Sequence, residues 1–292
     1  VNAVQEFLNN TYVGVAPFVL ATFGLLVVYK LVHDRVTAYD DDAMITGGTT
    51  AAGLSRAGGY IGVVLAMAGS LINSPNSYFA DLGMFALDGV VAIFVFVMAS
   101  FAIDWVVLPS IDNEIEISGG NTAVGLVEAA AYTALGIIMM ASFSGSGTGL
   151  IEGLVSATVF SLLGLLMLVV TYMVYNWLME RNCQESPDLA IERGKLSAAV
   201  DSASVLLAMS FVLLASIAGD FTSWQTDLLS FFGAALIGLV CVLVARFLAA
   251  LLVPGGVRDS NVSITTGNVA IATIVGGVTL ALASVSAFVI AS

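Results

Sequence analysis

Basic residues are scarce in this sequence. Eight Lys and Arg stand against 21 Asp and Glu, a formal net charge of −13. Nucleic-acid binding needs a basic footprint that this chain does not have, and the same shortage excludes docking on anionic lipid through a polybasic patch. Histidine occurs once, at His33, so no histidine pair is available to hold a metal. The two cysteines, Cys183 and Cys241, have neither metal-ligand spacing nor the setting of a disulfide framework. Proline is limited to 5 residues against 29 glycines, which removes Pro-rich and collagen-like architectures. Charged residues make up only 10% of the chain, whereas soluble domains carry about 25%.

Apolar residues take their place. Of 292 residues, 59% are hydrophobic, and the mean hydropathy is +1.02. That composition belongs to a polytopic membrane protein. No Ser nucleophile elbow, His-Glu-x-x-His pair or potassium-filter sequence is present. The glycine-rich stretch Gly145–Gly149 has no Lys and follows an apolar run, so it reads as a turn and not a phosphate loop. Neither an enzymatic activity nor a cofactor or metal is expected.

A helix needs about 20 apolar residues to cross the hydrocarbon core. Eight runs qualify: Val13–Val32, Thr50–Ile72, Leu82–Val107, Thr122–Ser142, Leu150–Leu178, Leu196–Ile217, Leu228–Val253 and Val269–Ala291. None alternates as barrel strands do. No basic region precedes the first run, so a retained helix is expected there and not a cleaved signal peptide. Seven of the eight bases lie in or beside the connections after spans one, three, five and seven. The positive-inside rule puts those connections in the cytoplasm and both termini outside, in the plasma membrane of a prokaryote.

A fourfold internal repeat is the strongest pattern. Ile45–Ala51, Ile117–Ala123, Ile191–Ser197 and Ile264–Ala270 align without gaps, and each opens an even-numbered span. Their anchor glycines, Gly48, Gly120, Gly194 and Gly267, fall 72, 74 and 73 residues apart. Asn121 and Asn268 follow two of them, where a helix N-terminus needs a cap. Five and nine residues after the anchors stand Gly53 and Ala57, Gly125 and Ala129, Ala199 and Ala203, and Ala272 and Gly276. All eight are small and each pair shares a helix face, so these faces are expected to form the packing seam of each repeat. The fold class is therefore all-α, with eight transmembrane helices as four parallel two-helix repeats. The expected units are 1–146 (repeats 11–79 and 80–146) and 147–292 (repeats 150–220 and 226–291). Parallel repeats disfavour the inverted-repeat transporter folds.

The run Gly120-Asn121-Thr122-Ala123-Val124-Gly125-Leu126, placed after a charged loop and opening an apolar helix, resembles the YjfL-like bacterial membrane proteins, a family of unknown function (domain of unknown function 350). The resemblance implies a four-span unit present here twice in tandem. It brings no chemistry with it. Membrane-stress and coat-like proteins are the partners it hints at. The third copy of the motif, at Gly194, departs most from the pattern.

Four ionisable residues fall well inside spans: Arg56, Asp88, Glu128 and Asp201. Each costs roughly 2.5–3.5 kcal/mol at the bilayer centre, so each needs a partner or a function. Arg56 and Glu128 both lie eight residues after an anchor glycine, ~12 Å along their helices. An ion pair between them is expected, and the alternative is an ion or proton path through Asp88, Glu128 and Asp201. The acidic sets Asp40–Asp42 and Asp112, Glu114 and Glu116 read as solvated loops. Two functions follow as expectations. One is a channel- or transporter-like protein for a small ion or solute. The other is a scaffold that recruits a peripheral cytoplasmic protein through its acidic loops. The expected surroundings are the lipid bilayer and, as a further partner, another copy of the chain.

Overall fold

The computed structural model describes residues 11–37, 40–72, 77–106, 112–145, 149–183 and 185–291, and every regular element among them is helical. The helices are α1 (Thr11–Val36), α2 (Asp41–Thr46), α3 (Thr50–Ala68), α4 (Tyr78–Val106), α5 (Asn113–Ser118), α6 (Thr122–Phe143), α7 (Leu150–Asn182), α8 (Pro187–Glu192), α9 (Leu196–Ile217), α10 (Trp224–Leu251), α11 (Gly256–Thr266) and α12 (Val269–Ala291). Eight of them are long and apolar enough to cross a membrane: α1, α3, α4, α6, α7, α9, α10 and α12. In lipid a spanning helix satisfies its backbone internally, which is why these apolar runs have no other stable form.

The four short helices occupy the connections that the sequence reads as loops. Each is bounded by local chemistry. Asp40, Asp112 and Ser186 cap the first three, accepting from Ala43 N at 3.0 Å, Ile115 N at 3.1 Å and Leu189 N at 3.3 Å. Each short helix ends at an anchor glycine in the left-handed region: Gly48 at φ 88°, Gly120 at 84°, Gly194 at 75° and Gly267 at 115°. The next residue's N–H then bonds back across the turn, Thr49 to Met44 O, Asn121 to Glu116 O, Lys195 to Ala190 O and Asn268 to Ser263 O, at 2.8–2.9 Å. A side chain at the glycine would strain that turn. The motif is therefore a helix stop followed by a helix start.

The long helices form two ranks. α3, α6, α9 and α12 pack side by side in that order, with α3 against α6 the most extensive contact. They run parallel: Gly125 abuts Ala51, Ala129 abuts Gly58, and Gly136 abuts Gly62, in increasing register along both chains. A methyl on any of the four glycines would overlap backbone, so only small residues permit this approach. Farther along the row, Gly276 of α12 faces Ser204 of α9. In the second rank α4 leans on α3 and α7 on α6, the preceding members of the row, while α10 packs on both α9 and α12.

The seam thus joins successive repeats; it does not run within each one, as the sequence pattern suggested. Gly125, Ala199, Ala203, Ala272 and Gly276 are buried and Ala129 is half-buried. Gly53 is only half-buried and Ala57 is exposed. The reason is position: α3 begins the row and has no earlier neighbour to receive that face.

Candidate functional site

Two buried arginines organise the side of the protein that carries the short helices. Arg56 projects from α3, 5% exposed. Its Nε and Nη2 donate to Asp41 Oδ2 at 3.1 and 2.6 Å, Nη2 also to Asp34 Oδ1 at 2.5 Å, and Nη1 to Asp42 Oδ1 at 2.9 Å. Lys30 Nζ bridges Asp34 and Asp42 from the rim, at 2.8 and 2.5 Å. His33 Nδ1 lies 3.4 Å from Asp41 Oδ2. The planar guanidinium fork suits this convergence of three carboxylates. Burial acts to raise the Asp41 pKa, but the nearby His33 ring and the hydrogen-bonded Arg56 guanidinium outweigh it and hold the group below its ordinary value.

The expected Arg56–Glu128 bridge does not form; all of the hydrogen bonds that Arg56 makes go to α1 and α2. Asp41, read from the sequence as a solvated loop acid, is 4% exposed. A register signal was available. Seven residues before each anchor glycine stand Asp41, Asn113, Pro187 and Ser260, all of them buried. His33, Asp34 and Asp41 also present ligand atoms within 4.8 Å of one another, the spacing of a metal site. Arg56 already engages both carboxylates, so its positive charge disfavours a cation there.

The second centre is deeper. Arg246 of α10 directs Nε and Nη2 to Asp201 Oδ2 at 3.1 and 2.8 Å, and Tyr175 of α7 donates to the same oxygen at 2.6 Å. Asp201 is fully buried and Arg246 is 6% exposed. Alongside, the Tyr172 hydroxyl donates to Asp188 Oδ1 at 2.5 Å and Asn176 Nδ2 to Asp188 Oδ2 at 2.8 Å. The two tyrosine rings lie 6.2 Å apart, so the two pairs are buried side by side. Asp188 sits on α8, outside the spans. Burial raises its pKa, and the hydrogen bonds from Tyr172 and Asn176 only partly offset that. Arg246 lies near the end of α10, yet the fold draws it inward onto Asp201.

The remaining intramembrane acids, Glu128 and Asp88, lie on α6 and α4. Glu128 is buried on α6, within electrostatic reach of Tyr29 of α1. Asp88 is buried on α4 beside the Ser70 hydroxyl, toward the other side of the membrane. Asn121 and Asn268 cap α6 and α12, accepting from Ala123 N and Ile271 N at 3.1 Å.

On the side away from the short helices, a cavity of ≈ 150 Å³ opens between the ends of α6, α7, α9 and α10. Its polar lining is Ser142, Ser156, Ser216, Ser230, Asp220 and Asp227, with no base. Along α7, Ser156 and Tyr175 are ~28 Å apart. The buried apolar residues Leu165, Leu168, Met209 and Leu213 belong to the core between these two ends.

The fold and these centres define an all-helical integral membrane protein with eight candidate spans. The family model "Domain of Unknown Function (DUF350)" matches the chain twice, at residues 7–143 and 149–290, and the chain belongs to that family as a tandem of two such regions. It is also similar to a UPF0719 transmembrane protein of Aquifex aeolicus (strain VF5), 24% identical over 128 residues, which is 44% of this chain and 46% of the relative. The match thus spans about half the length of that curated relative. No solved structure matches.

Proposed function

We propose that the protein moves protons or a small cation across the membrane through the α7, α9 and α10 group, and that the structure is a closed state. One observation carries this. These helices, with the short α8 and the α9–α10 connection beside them, hold a base-free cavity with two carboxylates at one end and the Asp188–Tyr172 and Tyr175–Asp201 pairs at the other. Acids and hydroxyls buried in spans are the groups from which proton relays are built. A cavity lined by one sign of charge concentrates cations at its mouth. The apolar layer between the two ends must open for passage, which is why this state is closed. Following the distribution of Lys and Arg, the short-helix side faces the cytoplasm of a prokaryotic cell.

The scaffold reading draws less support. Its acidic loops are partly neutralised within the chain, Asp34, Asp41 and Asp42 by Arg56 and Lys30, and Glu185 by Arg193 and Lys195. No enzymatic role is proposed.

The test is flux into liposomes that carry the purified protein and an internal pH-sensitive dye. Under an imposed potential, acidification should exceed that of protein-free vesicles. The Asp220→Asn/Asp227→Asn double variant should slow it at least several-fold. Replacing the outside buffer cation with choline distinguishes protons from metal cations. Flux equal to that of empty vesicles, for every cation tried, sinks the reading.

A further inference from the structure

The row α3–α6–α9–α12 is built by using one junction three times. In each, the face at offsets five and nine from the anchor glycine of the later helix meets the face at offsets three, ten and fourteen of the earlier one. Gly125 and Ala129 meet Ala51 and Gly58. Ala199 and Ala203 of α9 are buried, as are Ala123, Ala130 and Ala134 of α6. Gly276 of α12 meets Ser204 of α9.

The row therefore ends with two unused halves of the same junction. On α3 the face at offsets five and nine is open: Ala57 is exposed, nothing approaches a Cβ built on Gly53, and Ile61 beside them is 51% exposed. On α12 the face at offsets three, ten and fourteen is open: Ala270, Gly277 and Ala281 are all exposed, and nothing approaches a Cβ built on Gly277. At the internal junctions the residues in these positions are buried or half-buried.

Two further observations point to the same occupant. First, polar contacts cross two of the three internal junctions at one carbonyl. Asn121 Nδ2 donates to Ile191 O at 3.0 Å and Glu192 O at 2.9 Å, and Ser197 Oγ donates to Ile264 O at 2.5 Å. Both isoleucines lie three residues before an anchor glycine. Asn268 is the counterpart of Asn121. Its Oδ1 accepts from Ile271 N, and among the described residues its Nδ2 donates to no group. The counterpart carbonyl in the first repeat, Ile45 O, takes no side-chain donor among the described residues. Second, α4 and α7 lean chiefly on the row member before their own repeat, and α10 touches that member, α9, as well as α12, whereas α1 has no such predecessor. Its flank is correspondingly bare, with Val19 58%, Leu20 70% and Phe23 67% exposed.

We infer that the chain assembles head to tail with further copies of itself: α12 of one copy packs on α3 and α1 of the next, and Asn268 reaches Ile45 O across the contact. The contact is heterologous, so it closes into a ring or continues as a row, and a two-fold dimer cannot form it. Small residues give the backbones the close approach that holds helices together in lipid.

Disulfide trapping in native membranes tests this, in a Cys183→Ser/Cys241→Ser background. By equivalence with Ala129 and Gly58, positions 57 and 277 face each other across the contact, near enough for a disulfide. Differently tagged Ala57→Cys and Gly277→Cys chains, co-expressed and oxidised, should yield a mixed-tag dimer, and the double variant a ladder of higher species. Ala57→Cys with Val240→Cys, on a remote exposed face, should yield none. Both trapping sites are exposed, so folding is not at stake, and monodisperse elution of the reduced variants checks it. Adding Asn268→Ala should lower the trapped fraction several-fold. A mixed-tag dimer no more abundant than the Val240 control, or a predominant cross-link between two copies of position 57, overturns the proposal.

Discussion

Arg56 and Arg246 are both buried, yet the protein treats them differently. Arg56 has three carboxylates and a neighbouring lysine, and the cluster opens toward water: the Asp34 and Asp42 side chains are 29% and 56% exposed. Arg246 has one carboxylate, and that carboxylate is sealed. The first centre can lose a partner and turn to others or to solvent. The second cannot, because an unpaired charge there has neither water nor a second ligand. The lesson is that the number of partners and the access to water together set how far a buried charge is committed to one bond.

Three experiments would break or sharpen that contrast. The largest effect should come from Asp201→Asn, which leaves Arg246 buried without an anion. Removing one partner of a buried pair costs about 3–5 kcal/mol. The heat-unfolding midpoint in detergent should fall sharply, and a midpoint close to wild type would show that water reaches this centre. Asp41→Asn should cost less, about 1.5–3 kcal/mol for lost bonds to a charged group, because Asp34 and Asp42 still hold Arg56. A loss equal to that of Asp201→Asn would erase the distinction. Lys30→Gln, at the rim, should leave the midpoint unchanged.

The Asp41 variant also carries a pH signature. Asp41 titrates below its ordinary 3.8, so its contribution is present above 3.8 and is lost as pH falls through the depressed native value. Asp188 has the opposite sign. Burial raises it above 3.8, so the native state binds the extra proton and stability declines as pH rises through that interval. Stability measured from pH 3 to 7 should therefore keep its alkaline-side slope in Asp41→Asn while losing part of the acid-side slope.

Much of this architecture was legible in the residue order. The spans expected at Thr50–Ile72, Thr122–Ser142 and Leu196–Ile217 correspond to Thr50–Leu71, Thr122–Phe143 and Leu196–Ile217 in the structure, because length and hydropathy alone decide whether a helix can cross. The anchor glycines were legible too, since a left-handed turn has few other occupants. The short helices were not, although Asp40, Asp112 and Ser186 carry caps; in three of the four, six residues are too few to show a hydrophobic period. The site was half legible. Arg56 and Asp201 stood out as charges in apolar runs. Their partners did not: Asp34 and Asp41 resemble ordinary loop acids, and Arg246 sits near a helix end.

The sequence by itself determined that this chain enters lipid and where the spans after the anchor glycines begin, since both follow from local transfer energies and backbone sterics. Only the tertiary structure decided that the small faces join one repeat to the next, and that Arg56 takes Asp41 while Arg246 takes Asp201. Those outcomes depend on which helix stands beside which. An ion pair or a close glycine contact is a property of two distant segments brought together, and no stretch of either one contains it.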